Sequence, residues 1–194
     1  MKNTFLVLLF LSLNSIFSQT VEEIITSDFN QIISYTRQKK IDKVLDMTYP
    51  RLFEVYPKEM LSSLATDMLE GMGITTIYED NETNLIVSPV KNVANTSAQI
   101  CVGRYNQNMI LEFNNENAAK IFSQSPMNGY TVEVIDAKKI RMLGVSFLLA
   151  INDKHTNNSW RYMNYSDEPS NPVNDLNILD SEILVETKKL IENF

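Results

Sequence analysis

Apolar residues follow a helical period in the first part of the chain after residue 20 and a strand-like period in most of the rest. Thr20-Val21-Glu22-Glu23 fits a capping box, which opens a helix. The pattern weakens at Arg37–Lys40 and then resumes, so it predicts either one kinked helix or two helices that meet near Lys40. Tyr49-Pro50 ends this region, because the residue before a proline disfavours helical geometry.

Two more helices are predicted, one ahead of the strands and one at the end of the chain. Pro57 stands at a first helical position, and Gly71 or Gly73 ends that helix. A turn-forming segment, DEPSNPVND, separates the last strand from the terminal helix, which Asp180 or Ser181 would cap. The side chains expected to face the core are Ile183, Leu184, Leu190 and Ile191.

The strand-like part begins at Ile74. The predicted strands are Ile74–Tyr78, Leu85–Val90, Ser97–Tyr105, Met109–Phe113, Tyr130–Ile135, Ile140–Ile151 and Trp160–Tyr165. Asn106-Gln107-Asn108 is interpreted as a turn between two of them. Asn114–Ser125 is compatible with a short helix or with an irregular crossing.

The most distinctive stretch runs from Val145 to Tyr165. A continuous apolar run, Val145–Ile151, is followed by a polar loop and by an alternating segment. The alternation places Trp160 and Tyr162 on one face and Met163 and Tyr165 on the other, as expected for a hairpin within a sheet. Helices followed by antiparallel strands indicate an α+β layer fold, with one domain over residues 20–194.

The order of these elements, together with VSFLLAIND followed by SWRYMNY, resembles the NTF2-like (cystatin-like cone) superfamily. The resemblance covers most of Val21–Tyr165 and suggests a small exported member of that superfamily. It implies N-terminal helices packed on a curved antiparallel sheet, with a pocket whose mouth lies where the helices diverge. The C-terminal helical extension, about residues 176–194, departs from the pattern. Ketosteroid isomerases of the superfamily use an acidic base in this pocket, but their residues have no one-to-one match here.

The chain opens with MKNTFLVLLFLSLNSIFSQT, which has the layout of a signal peptide over residues 1–19. Its apolar run is shorter than the roughly 20 residues of a membrane span, although a transmembrane anchor is the alternative interpretation. Cleavage would leave an exported chain, periplasmic or secreted, without membrane insertion. Removing Lys2 would change the formal charge from −7 to −8, and so acidic a chain argues against nucleic acid as a partner.

Most catalytic and cofactor signatures are missing from the sequence. His155 is the one histidine, so there is no histidine-rich metal site, and no cofactor is implied. Cys101 is the one cysteine, which excludes an intrachain disulfide. Its neighbours Ile100 and Val102 favour a buried apolar role over a reactive or intermolecular thiol.

One polar cluster is a candidate ligand site, at the break between the helices. It consists of Asp46, Tyr49, Arg51 and Tyr56, to which Trp160 is added as an aromatic surface. The alternative is that the four residues brace the helix junction and that Trp160 anchors the core of its hairpin.

Three functional hypotheses follow. The first is a non-enzymatic exported module that binds a small apolar ligand or a protein partner, with a homodimer left open. The second is an isomerase or hydrolase that uses Asp46 and Tyr49. The third is a structural or envelope-associated protein whose sheet face is filled by its own side chains. Whether Phe53, Met60, Met68 and Trp160 fill that face or leave a cavity distinguishes the third hypothesis from the other two.

Overall fold

The computed structural model describes residues 19–71, 73–79, 84–125, 129–166 and 177–194. Residues 1–18 of the predicted leader and the DEPSNPVND segment lie outside these ranges. Within them the chain forms six helices and one antiparallel sheet of seven strands, which confirms the α+β class.

The helices predicted from the apolar pattern are present, and the structure adds a short one over Leu52–Val55. They are α1 (Val21–Arg37), α2 (Ile41–Met47), α3 (Leu52–Val55), α4 (Lys58–Gly71), α5 (Glu116–Gln124) and α6 (Ser181–Ile191). The capping box is confirmed, because the Thr20 hydroxyl accepts from the backbone N–H of Glu23 while the Glu23 carboxylate accepts from that of Thr20. Lys39 adopts a φ of 55°, and this left-handed residue separates α1 from α2. The region therefore holds two helices.

The strands are β1 (Ile74–Tyr78), β2 (Ile86–Val87), β3 (Lys91–Asn92), β4 (Gln99–Phe113), β5 (Tyr130–Val134), β6 (Lys139–Asn152) and β7 (Arg161–Tyr165). The predicted turn at Asn106-Gln107-Asn108 is wrong, because these residues continue β4. They pair with Val145, Gly144 and Leu143 of β6, so the ladder satisfies backbone groups that a turn would have left to solvent.

The sheet is built on the long β4–β6 pair, which runs from Gln99↔Asn152 to Glu112↔Lys139. β1, β2 and β3 pair with the edge of β4 that faces away from β6, and β5 and β7 pair with the edge of β6 that faces away from β4. No described strand covers residues 105–108 of β4 or residues 145–146 of β6. We call this two-strand-wide stretch the waist of the sheet.

Alternation along the strands separates the apolar side chains onto two faces of the sheet. Ile25 and Phe29 of α1 pack on one face with Cys101, Leu148, Ala150, Trp160 and Tyr162. Ile183 of α6 packs on the opposite face with Ile100, Val102, Leu149, Ile151, Met163 and Tyr165. The predicted faces of the hairpin are thus confirmed. A third cluster joins α5 to the far end of β4 and β6 on the α1 face.

The C-terminal helix packs as the apolar pattern predicts. Ile183 is fully buried, and Leu184, Leu190 and Ile191 are partly buried against the same cluster. Cys101 is buried in the sheet, and burial raises the pKa of its thiol to about 12. A thiol that stays protonated is a poor nucleophile, so the expected apolar role of Cys101 is confirmed.

Candidate functional site

A cavity of about 850 Å³ lies between α1 and the waist of the sheet. We call it the α1 cavity. Its α1 wall is formed by Phe29, Ile32, Ile33 and Thr36, and its sheet side includes Tyr105, Gln107, Gly144, Leu148 and Asn164. Arg37, Tyr78 and Glu79 stand at one end.

The cavity exists because α1 continues past the part of the sheet on which it packs. Ile25 and Phe29 are buried against β4, β6 and β7. One turn later Ile32 and Ile33 are only partly buried, where the sheet below them narrows to two strands. The sheet forms the floor of the cavity. Gly144 lets the Tyr130 ring pack against the backbone of this floor, since a Cβ atom at position 144 would lie 2.6 Å from the ring.

The floor of the α1 cavity is polar but uncharged. The Gln107 Oε1 atom accepts hydrogen bonds from the Tyr130 hydroxyl at 2.6 Å and from the Ser146 hydroxyl at 2.7 Å. The Tyr105 hydroxyl donates to the Asn164 Oδ1 atom at 3.1 Å. Burial raises the pKa of Tyr105 to about 12, so this phenol is neutral near pH 7. The floor can therefore exchange hydrogen bonds with a ligand without adding charge.

Asp46, the first of the candidate residues, is exposed and pairs with Lys58. The hydrogen bond from Lys58 holds the pKa of the Asp46 carboxyl below its ordinary value, and burial offsets this only in part. A general base that works near neutral pH needs a shift in the opposite direction.

Tyr49 and Arg51 make contacts that join separate parts of the chain. The buried Tyr49 hydroxyl donates to the Asp153 Oδ2 atom at 2.7 Å, and burial followed by this hydrogen bond raises the pKa of Tyr49. Arg51 donates to the Asp180 Oδ1 atom at 2.6 Å and to the backbone carbonyl of Asn177 at 2.8 Å. These contacts fix the α2–α3 junction to the β6–β7 loop and to the start of α6.

The remaining candidates lie in the apolar clusters. Tyr56 packs against the cluster on the α6 face, and Trp160 is a buried member of the cluster on the α1 face. The five candidates do not belong to the lining of the α1 cavity. Their role in binding stays a prediction, and the contacts they make are those expected of residues that brace the fold.

Sequence reasoning missed the residues that line the cavity. Gln107 was assigned to a turn, although Tyr105, Gln107 and Met109 alternate as a strand requires. Ile33 belongs to the helical apolar period of α1. The helical stripe shows that Ile33 faces inward, but not that the sheet narrows beneath it.

Comparison with protein-family models, with characterised proteins and with solved structures finds no match to this chain. Over the ranges that the structure describes, no group of three or more His, Cys, Asp or Glu side chains is placed to hold a metal ion. None of the described helices is both long enough and apolar enough to cross a membrane. The candidate site therefore has to be interpreted from its own geometry.

Proposed function

We propose that this chain is an exported, non-enzymatic binding module that holds a small, largely apolar ligand in the α1 cavity. One observation carries the proposal: a cavity of about 850 Å³ with an apolar helical wall and an uncharged polar floor. Sites for small molecules are typically concave, about 300–1,000 Å³ in volume, and mostly apolar with a few polar groups that orient the ligand.

The architecture supports the same proposal. Helices precede an antiparallel sheet, as the resemblance to NTF2-like domains implies, and an open cavity lies where α1 leaves the sheet. Of the four side chains expected to distinguish a filled face from an open one, Trp160 lies on the α1 face without filling it, Phe53 is half-buried and Met60 is exposed. The side chain of Met68 lies outside those that the structure describes. An open face favours a ligand over a sheet face packed by the protein's own side chains.

Non-enzymatic binding is also favoured by the charges near the cavity. Glu79 is the one carboxylate in the described lining, and it forms an ion pair with Arg141 at 2.8 Å. This carboxylate is therefore engaged by a cation within the fold. Asp46, which the enzymatic alternative requires, is exposed and bound to Lys58.

Native mass spectrometry of the mature protein, purified from the extracytoplasmic fraction, tests the proposal first. We expect a co-purifying adduct of small mass, and its identity would name the ligand class. A protein that carries no adduct and that binds neither apolar fluorescent probes nor single-chain lipids would contradict the proposal.

Filling the cavity provides the second test. In Ile33→Trp an indole ring replaces the smaller aliphatic side chain and would project into the α1 cavity. The affinity for an apolar fluorescent probe should fall by about tenfold or more, because the indole ring and the probe compete for the same volume. The matched control is Ile121→Trp, which makes the same change at a side chain that is 68% exposed on α5. Equal probe affinities in the two variants, measured by titration, would exclude the α1 cavity as the binding site.

A further inference from the structure

The polar side chains on the floor of the α1 cavity form one hydrogen-bonded line. Register and strand alternation put Tyr105, Gln107, Ser146 and Asn164 on the α1 face of the sheet, and Tyr130 joins them from β5. The three hydroxyl groups of this line all bond to carboxamide oxygens, two to Gln107 and one to Asn164. The hydroxyl protons of the floor are therefore already in use.

The distances around Gln107 identify which end of its carboxamide faces the hydroxyl groups. The Oε1 atom lies 2.6 Å from the Tyr130 oxygen and 2.7 Å from the Ser146 oxygen. Bonds from a hydroxyl group to oxygen are most often about 2.7–2.8 Å long, whereas bonds from an amide nitrogen to oxygen are most often about 2.9–3.0 Å. Two short bonds thus mark the oxygen end, and the Nε2 amino group is the opposite end.

The Nε2 group of Gln107 is a donor that lacks an acceptor. Within the described part of the chain no hydrogen bond engages it, although Gln107 is half-buried. Protein atoms do not enclose this nitrogen, so a group inside the α1 cavity can reach it. A polar group that loses water without gaining a partner costs free energy, and an acceptor on the ligand removes that cost. The floor therefore matches a ligand that brings an acceptor.

The floor also selects against a charged acceptor. Its five side chains are phenol, hydroxyl and carboxamide groups, which are uncharged near neutral pH. A carboxylate placed against them would lose its hydration without gaining a cation from the floor, which is unfavourable. A carbonyl oxygen offers two lone pairs, carries no charge and brings no proton that needs an acceptor of its own.

We propose that the ligand of the α1 cavity is a neutral molecule with an apolar chain and an ester or amide carbonyl, whose oxygen accepts a hydrogen bond from the Gln107 Nε2 group. This inference rests on the proposed function and names the ligand class. The chain lies against Ile32 and Ile33 of the α1 wall, and the carbonyl group lies on the floor.

Three probes with similar chains separate these features: methyl decanoate, decane and decanoate. Each is titrated near pH 8 into protein that holds an apolar fluorescent probe, and displacement of the fluorescent probe gives the affinity. We expect decanoate to bind about fivefold or more weakly than methyl decanoate, because the two differ at the head and only the ester is neutral. Decanoate that binds more tightly than its methyl ester would overturn the neutral ligand class.

Replacing Gln107 tests the contact itself. Gln107→Met keeps the length and neutrality of the side chain but removes the donor, and the Tyr130 and Ser146 hydroxyl groups, 3.1 Å apart, can bond to each other. The affinity for methyl decanoate should fall by about fivefold, while that for decane should stay unchanged, because only the ester uses the donor. The matched control is Gln124→Met at the exposed end of α5, outside the cavity lining, which should affect neither probe.

A second variant keeps the test valid if Gln107→Met fails to fold. Gln107→Glu retains an oxygen for both hydroxyl groups and replaces the donor nitrogen with a second carboxylate oxygen. It should weaken the binding of methyl decanoate more than that of decane, since the ester oxygen would face an acceptor. An ester affinity that does not fall relative to decane would contradict the contact.

The outcomes separate this inference from the proposed function. Equal effects of the Gln107 variants on methyl decanoate and decane, with binding of both probes lost in Ile33→Trp, would overturn the carbonyl contact and leave the apolar site standing. Failure of all three probes to bind would overturn both proposals.

Discussion

Between pH 10 and pH 11.5 the free energy of unfolding is expected to fall by about 3–4 kcal/mol per pH unit. Three groups dominate this slope: Tyr49, Tyr162 and Cys101, each of which is 0–2% exposed. Burial raises the pKa of all three groups, and hydrogen bonds to Asp153 and Asp28 raise those of the two tyrosines further. Each group contributes about 1.4 kcal/mol per pH unit while it is protonated in the folded state and ionised in the unfolded state.

The sign of the effect follows from proton binding. Below about pH 7.5 both states hold these protons, so the three groups leave stability independent of pH. Above the ordinary pKa of each group the unfolded state loses a proton that the folded state keeps, and stability falls as the pH rises. Since small domains are stable by about 5–15 kcal/mol, a loss of this size removes most of the stability of a typical domain by pH 12.

Urea unfolding at fixed ionic strength between pH 8 and 11.5 measures this slope. Tyr162→Phe should reduce the slope by about one proton, although it also removes the hydrogen bond to Asp28 and lowers stability near neutral pH by about 1 kcal/mol. A free energy of unfolding that stays constant from pH 9 to pH 11 would contradict the assignment of these groups as buried and protonated.

Leu149→Ala is expected to lower the free energy of unfolding by about 3–4 kcal/mol. Leu149 is fully buried in β6, in the cluster that joins the sheet to α6. Truncation removes apolar contact and leaves a cavity that closely packed neighbours fill only in part. Denaturant unfolding with tryptophan fluorescence measures the change, because Trp160 lies in the hairpin next to this strand.

The matched control lies on the same strand and the same face. Leu143 lies six residues before Leu149, and an even separation places both side chains on the same face of the strand. Leu143 is only partly buried, because it lies outside the cluster that packs against α6. Leu143→Ala should therefore cost about 1 kcal/mol. Equal losses in the two variants would contradict the packing of α6 over Leu149.

Local chemistry made much of the fold predictable. The capping box at Thr20 marks the start of a helix, and Tyr49-Pro50 marks a position at which a helix cannot continue. The alternation of Trp160 and Tyr162 against Met163 and Tyr165 assigned each pair to a face, because a strand has a period of two residues. Patterns of this kind depend only on neighbours in the chain.

The candidate site was less predictable, because it depends on pairing between distant residues. Asn106, Gln107 and Asn108 have turn chemistry, and only the pairing with β6 makes them strand residues. The cavity arises because no described strand flanks the waist, which no local pattern reveals. Tyr49 and Arg51 were identified as members of a candidate ligand site, and the sequence does not show that Asp153 and Asp180 bind them.

The β4–β6 ladder also determines how the chain can reach this structure. Its nearest pair joins Glu112 to Lys139 and its farthest joins Gln99 to Asn152, with α5 and β5 in between. A loop of this length must close before the ladder gains its hydrogen bonds, and every flanking strand needs β4 or β6 as its template. We therefore expect slow refolding, over milliseconds to seconds, with Trp160 fluorescence changing in the same phase as hairpin formation. A microsecond phase carrying the full signal would show that α1 and the hairpin fold without the central pair.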